Sequence, residues 1–402
     1  MHLDGQAVVA QRGEPVAVAL VAAGHLALAR SPKFHRPRGP SCLRAACDGC
    51  LARVDGEPNV MTCRVPAAEG TRIETQNVVG SRDTDLLRMA DWFFPEGMNH
   101  HELLAGVPGV QRVMQAFARR VAGLGRLPKE PRAQRPAARR AVDVLVVGAG
   151  ASGMAAALEL ARRGRRVEVV DDDLAWGGGL RALVGRAGAP WVPLLREFGG
   201  AVAASQVAVR LGTTAAGVFG DDVLVAGAGG VELVTARTLV LAPGAHDGAL
   251  AFEGNDVPGV MSARAAGWLL AHDVVVGRRA LVVVTWEGGP FGDAVGEALE
   301  GATVVRGVPA RVRGSARVKE VTLVGHDKRE PCDALLLDAP RAPAYEVCAQ
   351  AGAELSQQPH GFVVRVGPGG RVRPGVLAVG EVVGTPLDVA RVLEEARQLA
   401  DG

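Results

Sequence analysis

The pattern of apolar and polar positions changes character twice along the chain. Up to about residue 82, short alternating runs are broken by turns. Asp4-Gly5 is a hairpin signal, Val16 to Ala23 reads as a buried helix, and Leu51 to Val54 followed by Asp55-Gly56 reads as strand and turn. Residues 83–127 read as helical, with Leu86, Leu87, Met89 and Trp92 on an early apolar face. The stretch 128–140 is rich in proline and arginine and reads as a solvated linker.

Beyond it the period becomes that of alternating strand and helix. Val142 to Val147 is a continuous apolar strand, Met154 to Arg163 a helix and Arg166 to Val170 a second strand. A second such unit starts near residue 279, with Arg279 to Val284 as strand and Asp293 to Leu299 as helix. Gly375 to Val379 gives a last strand and Asp388 to Ala400 a last helix. The expected division is therefore 1–82, 83–140, 141–278, 279–350 and 351–402, the last segment returning to the third. The fold class is α/β: a small N-terminal domain ahead of two dinucleotide-binding, Rossmann-like units.

Composition narrows the function. Hydrophobic residues make up 48% and charged residues 22% of the 402, so the chain can bury ample core. A net charge of +2 is too balanced for nucleic acid to be the main partner. No apolar run reaches the length of a membrane span. Val16 to Ala29 has the outline of a signal peptide, but Glu14 and Pro15 precede it without a basic region, so a domain helix and a cytoplasmic protein are expected.

Four of the six cysteines crowd together. Cys42, Cys47, Cys50 and Cys63 follow the spacing C-x4-C-x2-C-x12-C. The first three match a plant-type [2Fe–2S] loop, and Cys63 completes the second iron's pair. Ala45, Ala46 and Gly49 are small, as close backbone approach to a cluster requires. A zinc site is the rival, although zinc sites of this kind pair two C-x2-C units and only one exists here. Cys332 and Cys348 stand apart and read as buried small residues.

Gly148-Ala-Gly150-Ala-Ser152-Gly153 follows a strand and opens a helix, as a dinucleotide turn requires. Gly148 permits the turn, Gly150 admits the pyrophosphate and Gly153 lets helix and strand pack. Asp171, with Asp172 as the alternative, is placed to accept from ribose hydroxyls. Trp176-Gly-Gly-Gly179 reads as a flexible loop beside a flavin. Two further elements complete an FAD signature. Thr238 to Ala245 is a second strand and turn ending at Gly244, with Pro243 in place of threonine; Val376 to Glu381, through Gly380, is a closing segment with Glu381 in place of aspartate. FAD is the expected cofactor beside the cluster. No catalytic side chain stands out, and there is no C-x-x-C beside the flavin loops for thiol–disulfide chemistry.

Together these motifs resemble one family. Arg30 to Gly39 is similar to the segment opening the alpha subunits of heterotetrameric sarcosine oxidases. The cysteine loop with Pro58 to Cys63 resembles the iron–sulfur part of hydrogen cyanide synthase and of hydroxyproline or opine dehydrogenase subunits. Ala245-His246 and Phe252 to Gly259 match the group's loop after the second strand. The resemblance implies a β-grasp ferredoxin-like [2Fe–2S] domain, an FAD-binding part and an electron-passing role beside a second FAD-dependent catalytic subunit that oxidises an amine or amino acid. Two other functions stand against it: a self-contained NAD(P)H-linked flavin reductase, and a non-catalytic assembly subunit with a degenerate flavin site. Against the first, Val284 to Gly292 is not a clean G-x-G-x-x-G, and the strand Ala302 to Val305 runs into Arg306 without a ribose acid. Arg306 could instead meet a 2′-phosphate. His100-His101 reads as a surface or helix-start feature, and Lys33, His35, Arg36 and Arg38 as a solvated loop, a partner contact or an anion site.

Overall fold

The computed structural model describes residues 1–32, 34–89, 91, 109–110, 112–113, 136–286 and 288–400. In the N-terminal part, strands His2–Leu3 and Gln6–Ala7 form a hairpin. Asp4 and Gly5 both have positive φ, the conformation a two-residue type I′ loop demands. A five-stranded sheet runs in the order Gln6–Ala7, His2–Leu3, Arg72–Glu74, Leu51–Val54, Glu57–Met61. Its first and last strands in sequence lie side by side and parallel, His2 opposite Arg72. Helix Val16–Ala22 packs on this sheet with Val16 to Val21 all buried, so the stretch that outlines a signal peptide is the core helix of a β-grasp domain.

Of the apolar face expected at residues 86–92, the structure describes Leu86, Leu87 and Met89. Among its described members Leu86 and Met89 are exposed, on a short 3-10 turn whose N-terminus Asp85 caps. Trp92, His100 and His101 lie outside the described residues. The expected linker also ends early. Strand Ala138–Val147 begins inside it, and Arg140 is held between Glu168 and Glu232 at 2.5 and 2.8 Å, so ladder pairing and ion pairs order a stretch whose composition reads as loop.

Among the described residues the largest sheet has eight strands. Its parallel centre is Val207–Arg210, Val167–Val170, Ala138–Val147 and Gly230–Leu241, with Val376–Ala378 returning parallel beside Gly230–Leu241. Val144 to Val147 are buried, which is why the run is apolar at every position rather than alternating. Helices Ala151–Arg162 and Val389–Arg397 pack together in the core cluster that covers this sheet.

A second, all-parallel sheet runs in the order Val260–Ser262, Ala334–Asp338, Ala280–Val284, Thr303–Arg306. Its edge strand at 260–262 precedes the boundary expected at 278/279, which therefore falls inside this unit. The reason is hydrogen bonding at long sequence separation: Val260 pairs with Leu335 across the sheet. Among the described residues no helix is long and apolar enough to cross a membrane.

Candidate functional site

The cysteine loop is wound by residues in unusual conformations. Leu43 and Ala45 have φ of 52° and 57°, the left-handed region that side-chain-bearing residues rarely adopt. This winding aims the backbone N–H groups of Arg44 and Ala46 at Cys42 Sγ, both at 3.3 Å. Cys42, Cys50 and Cys63 are buried and Cys47 is half-buried. The side chains face one another as two pairs. A hydrogen bond between Cys42 and Cys47, with burial, holds the first thiol well above its ordinary value. The same bond, with help from Ser41, pulls Cys47 down to about 5. A hydrogen bond between Cys50 and Cys63 likewise raises the Cys50 thiol and lowers that of Cys63.

No three metal-ligating side chains among the described residues converge on one point. Two thiol pairs, each with inward backbone N–H groups, suit a two-iron cluster better than a tetrahedral zinc, which needs all four ligands around one centre. The small size of Gly49 is also demanded by packing within the chain: a Cβ there would lie 1.8 Å from the Gly39 carbonyl oxygen.

The glycine turn opens a cleft of about 270 Å³. A Cβ on Gly148 would lie 2.2 Å from Ala242 O, and one on Gly153 would lie 1.9 Å from Gly148 O. A Cβ on Gly150 would meet nothing within 4 Å, because this glycine faces the open cleft. The three expected roles thus separate in space, and Gly153 lies behind the turn rather than in the lining. Gly148, Gly150, Ser152, Asp171, Gly244, Gly380 and Glu381 all line the cleft.

Asp171 accepts from Ala149 N–H at 2.5 Å and from Asp173 N–H at 2.7 Å, and burial raises its carboxyl above the ordinary value. Gly380, at φ 87°, lies against Ser152, where a Cβ would come within 2.6 Å of the hydroxyl oxygen. Glu381 pairs with Arg341 at 2.6 Å. The loop Trp176 to Gly179 is pinned rather than flexible: Gly177 N–H donates to Ala149 O at 2.8 Å, and Trp176 packs edge-on against Phe198.

Several site residues are not legible in the sequence. Glu395, on the last helix, accepts from Gly380 N–H at 2.9 Å and from Thr385 Oγ1 at 2.7 Å, and so fixes the closing segment. Burial raises its carboxyl. Arg44 and Arg64 reach the cleft from the cysteine loop, and Arg264, buried and 2.7 Å from Asp247, reaches it from the second unit. Only the position of Arg44 and Arg64 beside the cysteines could have drawn attention to them.

The second unit is closed. Buried Asp338 accepts from Gly289 N–H at 2.9 Å and Gly292 N–H at 2.6 Å, so a carboxylate of the chain itself occupies the N–H groups that a nucleotide phosphate would use. Arg306 is taken by Asp293, both contacts at 2.8 Å. The described residues of the basic loop, expected as a solvated loop, a partner contact or an anion site, are paired within the chain. His35 is buried with Nδ1 2.9 Å from Asp85, Arg36 pairs with Asp91 at 2.5 Å and Arg38 with Asp256 at 3.4 Å. Lys33 lies outside the described residues.

Residues 1–78 match the model of the 2Fe-2S iron-sulfur cluster binding domain, and residues 142–277 that of the pyridine nucleotide-disulphide oxidoreductases. The sarcosine oxidase subunit alpha of Rhizobium meliloti (strain 1021) is 31% identical over 364 residues, covering 80% of this chain and 36% of that protein. The chain resembles the sarcosine oxidase alpha subunits. That of Corynebacterium sp. (strain P-1) is 28% identical over 382 residues, 89% of this chain and 35% of that protein. The chain spans about a third of the length of these curated relatives.

Among solved structures, L-proline dehydrogenase from P. horikoshii superposes with a TM-score of 0.71 at 23% identity, covering 98% of this chain and 71% of that one. The T. acidophilum thioredoxin reductase superposes at 0.51 and 19% identity, covering 64% and 96%. Both likenesses concern the fold alone: the first extends over nearly the whole chain, the second over about two thirds of it. The chain is of the oxidoreductase class, and its cofactors are FAD and a [2Fe–2S] cluster.

Proposed function

We propose that this chain is the electron-passing subunit of an FAD-dependent amine or amino-acid dehydrogenase or oxidase, acting in the cytoplasm beside a second FAD-dependent catalytic subunit. The observation that carries the reading is that the cysteine loop and the dinucleotide cleft share a wall: Arg64, next to Cys63, pairs with Asp172 at 2.6 Å. The relatives named for sarcosine support an amine as substrate. The closed second unit, with Asp338 in place of a phosphate, counts against the self-contained NAD(P)H reductase.

Cys42, Cys47, Cys50 and Cys63 would hold the cluster, with N–H groups of Arg44 and Ala46 lowering the negative charge on sulfur. Gly148, Gly150, Ser152, Gly153, Asp171, Gly244, Gly380 and Glu381 would form the FAD site. Bound there, the flavin exchanges electrons in twos and the cluster one at a time. The glycine turn presents unpaired helix N–H groups to the pyrophosphate. Asp171, with each oxygen already accepting one N–H, keeps lone pairs for ribose hydroxyls. Glu381, neutralised by Arg341, orders the closing segment beside Gly244 without leaving an unpaired charge in the cleft.

The test is the visible spectrum of purified protein, with acid-released flavin and iron quantified for wild type, Cys47→Ser and Cys332→Ser. Iron and its broad absorbance should fall in the first variant and persist in the second. A colourless wild type, or equal iron in wild type and Cys47→Ser, refutes the cofactor assignment. A wild type that purifies alone and oxidises an amine unaided refutes the subunit role.

A further inference from the structure

Two arginines of the cysteine loop have no assigned task. Arg44 lies between Cys42 and Cys47, and Arg64 directly follows Cys63. Both side chains line the cleft that holds Gly148 and Gly150. Arg64 reaches Asp172 at 2.6 Å and Asp173 at 3.3 Å, and Arg44 stands 3.9 Å from Asp173. Asp173 is buried; its N–H donates to Asp171 at 2.7 Å, and Asp171 in turn accepts from Ala149 N–H in the glycine turn at 2.5 Å. With Arg44 N–H on Cys42 Sγ at 3.3 Å, polar contacts run without a break from a cluster ligand to the dinucleotide turn.

Two further facts point to a ligand. Asp171 and Asp172 place two carboxyl groups in the lining of a cleft whose turn is built for phosphate, with Asp173 buried behind them, and without the arginines this charge would repel it. Arg64 lines the cleft while its Nη2 holds Asp172 at its edge, so its guanidinium stands beside the glycine turn with donors within reach of a ligand oxygen.

Resting on the FAD reading of this cleft, we propose that Arg44 and Arg64 bind the adenosine-diphosphate half of the dinucleotide, so that its site is complete only when the cysteine loop is folded around its cluster. A guanidinium offers paired N–H donors that match phosphate or vicinal hydroxyl oxygens. Loop and ligand then stabilise each other, and by linkage the effect is reciprocal: the cluster tightens FAD by the factor by which FAD tightens the cluster.

The experiment uses the full chain. FAD dissociation constants are measured by flavin fluorescence for cluster-loaded wild type, for wild type stripped of iron with dithionite and a chelator, and for Arg64→Gln and Arg64→Lys, with iron content recorded throughout. Iron removal should weaken FAD binding about tenfold. Arg64→Gln should do the same with iron retained, and Arg64→Lys should recover part of the loss because it keeps charge without the planar fork. Equal affinity with and without the cluster, or wild-type affinity in an iron-replete Arg64→Gln, overturns the proposal. If Arg64→Gln loses iron, the stripped wild type decides alone. Full flavin occupancy in Gly150→Val would instead sink the FAD reading of the cleft. Flavin lost from Gly150→Val, with no effect of iron removal, sinks the coupling alone.

Discussion

Gly150 and Gly153 belong to one motif, yet the structure assigns their substitutions to different properties. A methyl group at Gly153 would lie 1.9 Å from the Gly148 carbonyl oxygen and 2.9 Å from its carbon, both backbone atoms that cannot swing aside. Overpacking of this kind costs about 1–3 kcal/mol or more, against a gain of roughly 1 kcal/mol for replacing glycine inside a helix. Gly153→Ala should therefore lower the Tm of flavin-free protein by several degrees, at roughly 2–4 °C per kcal/mol for a unit of this size.

Gly150 has ordinary backbone angles, φ −77° and ψ −169°, and nothing within 4 Å of a Cβ. Gly150→Ala should leave the flavin-free Tm within a degree or two, since surface changes are usually worth about 0.5 kcal/mol or less. It should weaken FAD through the same steric term, about 1–3 kcal/mol. That is roughly 5- to 150-fold in dissociation constant at 1.4 kcal/mol per decade. Thermal melts of stripped protein and flavin fluorescence titrations measure the two effects separately. Wild-type FAD affinity in Gly150→Ala would refute the assignment of the open face to the pyrophosphate, and an unchanged Tm in Gly153→Ala would refute the packing argument.

Neither NADH nor NADPH should bleach the flavin of the wild type at catalytic rates, on the order of 10 per second, because Asp338 occupies the second unit's N–H groups; stopped-flow mixing decides this. The hydrogen bond from Arg165, with Arg166 N–H, holds the Asp143 carboxyl down to about 2. Its folded value lies below the unfolded one of about 3.9, so its contribution is present above that pH and is lost as pH falls toward about 2. Asp143→Asn should flatten this part of the Tm–pH curve, and an identical curve would refute it. Arg36→Glu with Arg38→Glu breaks pairs to Asp91 and Asp256, so cluster content should fall; full iron retention with lost co-purification of a partner would restore the loop to a docking role.

What the sequence determined by itself are the features whose physics is local. Cysteine spacing, the glycine turn after an apolar strand, the hairpin at Asp4-Gly5 and the buried helix at 16–22 each depend on neighbours a few residues away, so their chemistry shows in the residue order. Tertiary structure decided whatever depends on groups far apart in the chain. Val260–Ser262 joins the second sheet through residues 335–337, Glu395 holds Gly380 from the last helix, and Asp338 fills an N–H nest opened by residues 289–292. The basic loop left a solvated surface, a partner contact and an anion site all open because charge alone names no partner; Asp85, Asp91 and Asp256 supply one only after folding. Arg44 and Arg64 meet the acids at 171–173 for the same reason: burial and charge pairing are properties of packed surfaces, and one-dimensional order does not record which surfaces meet.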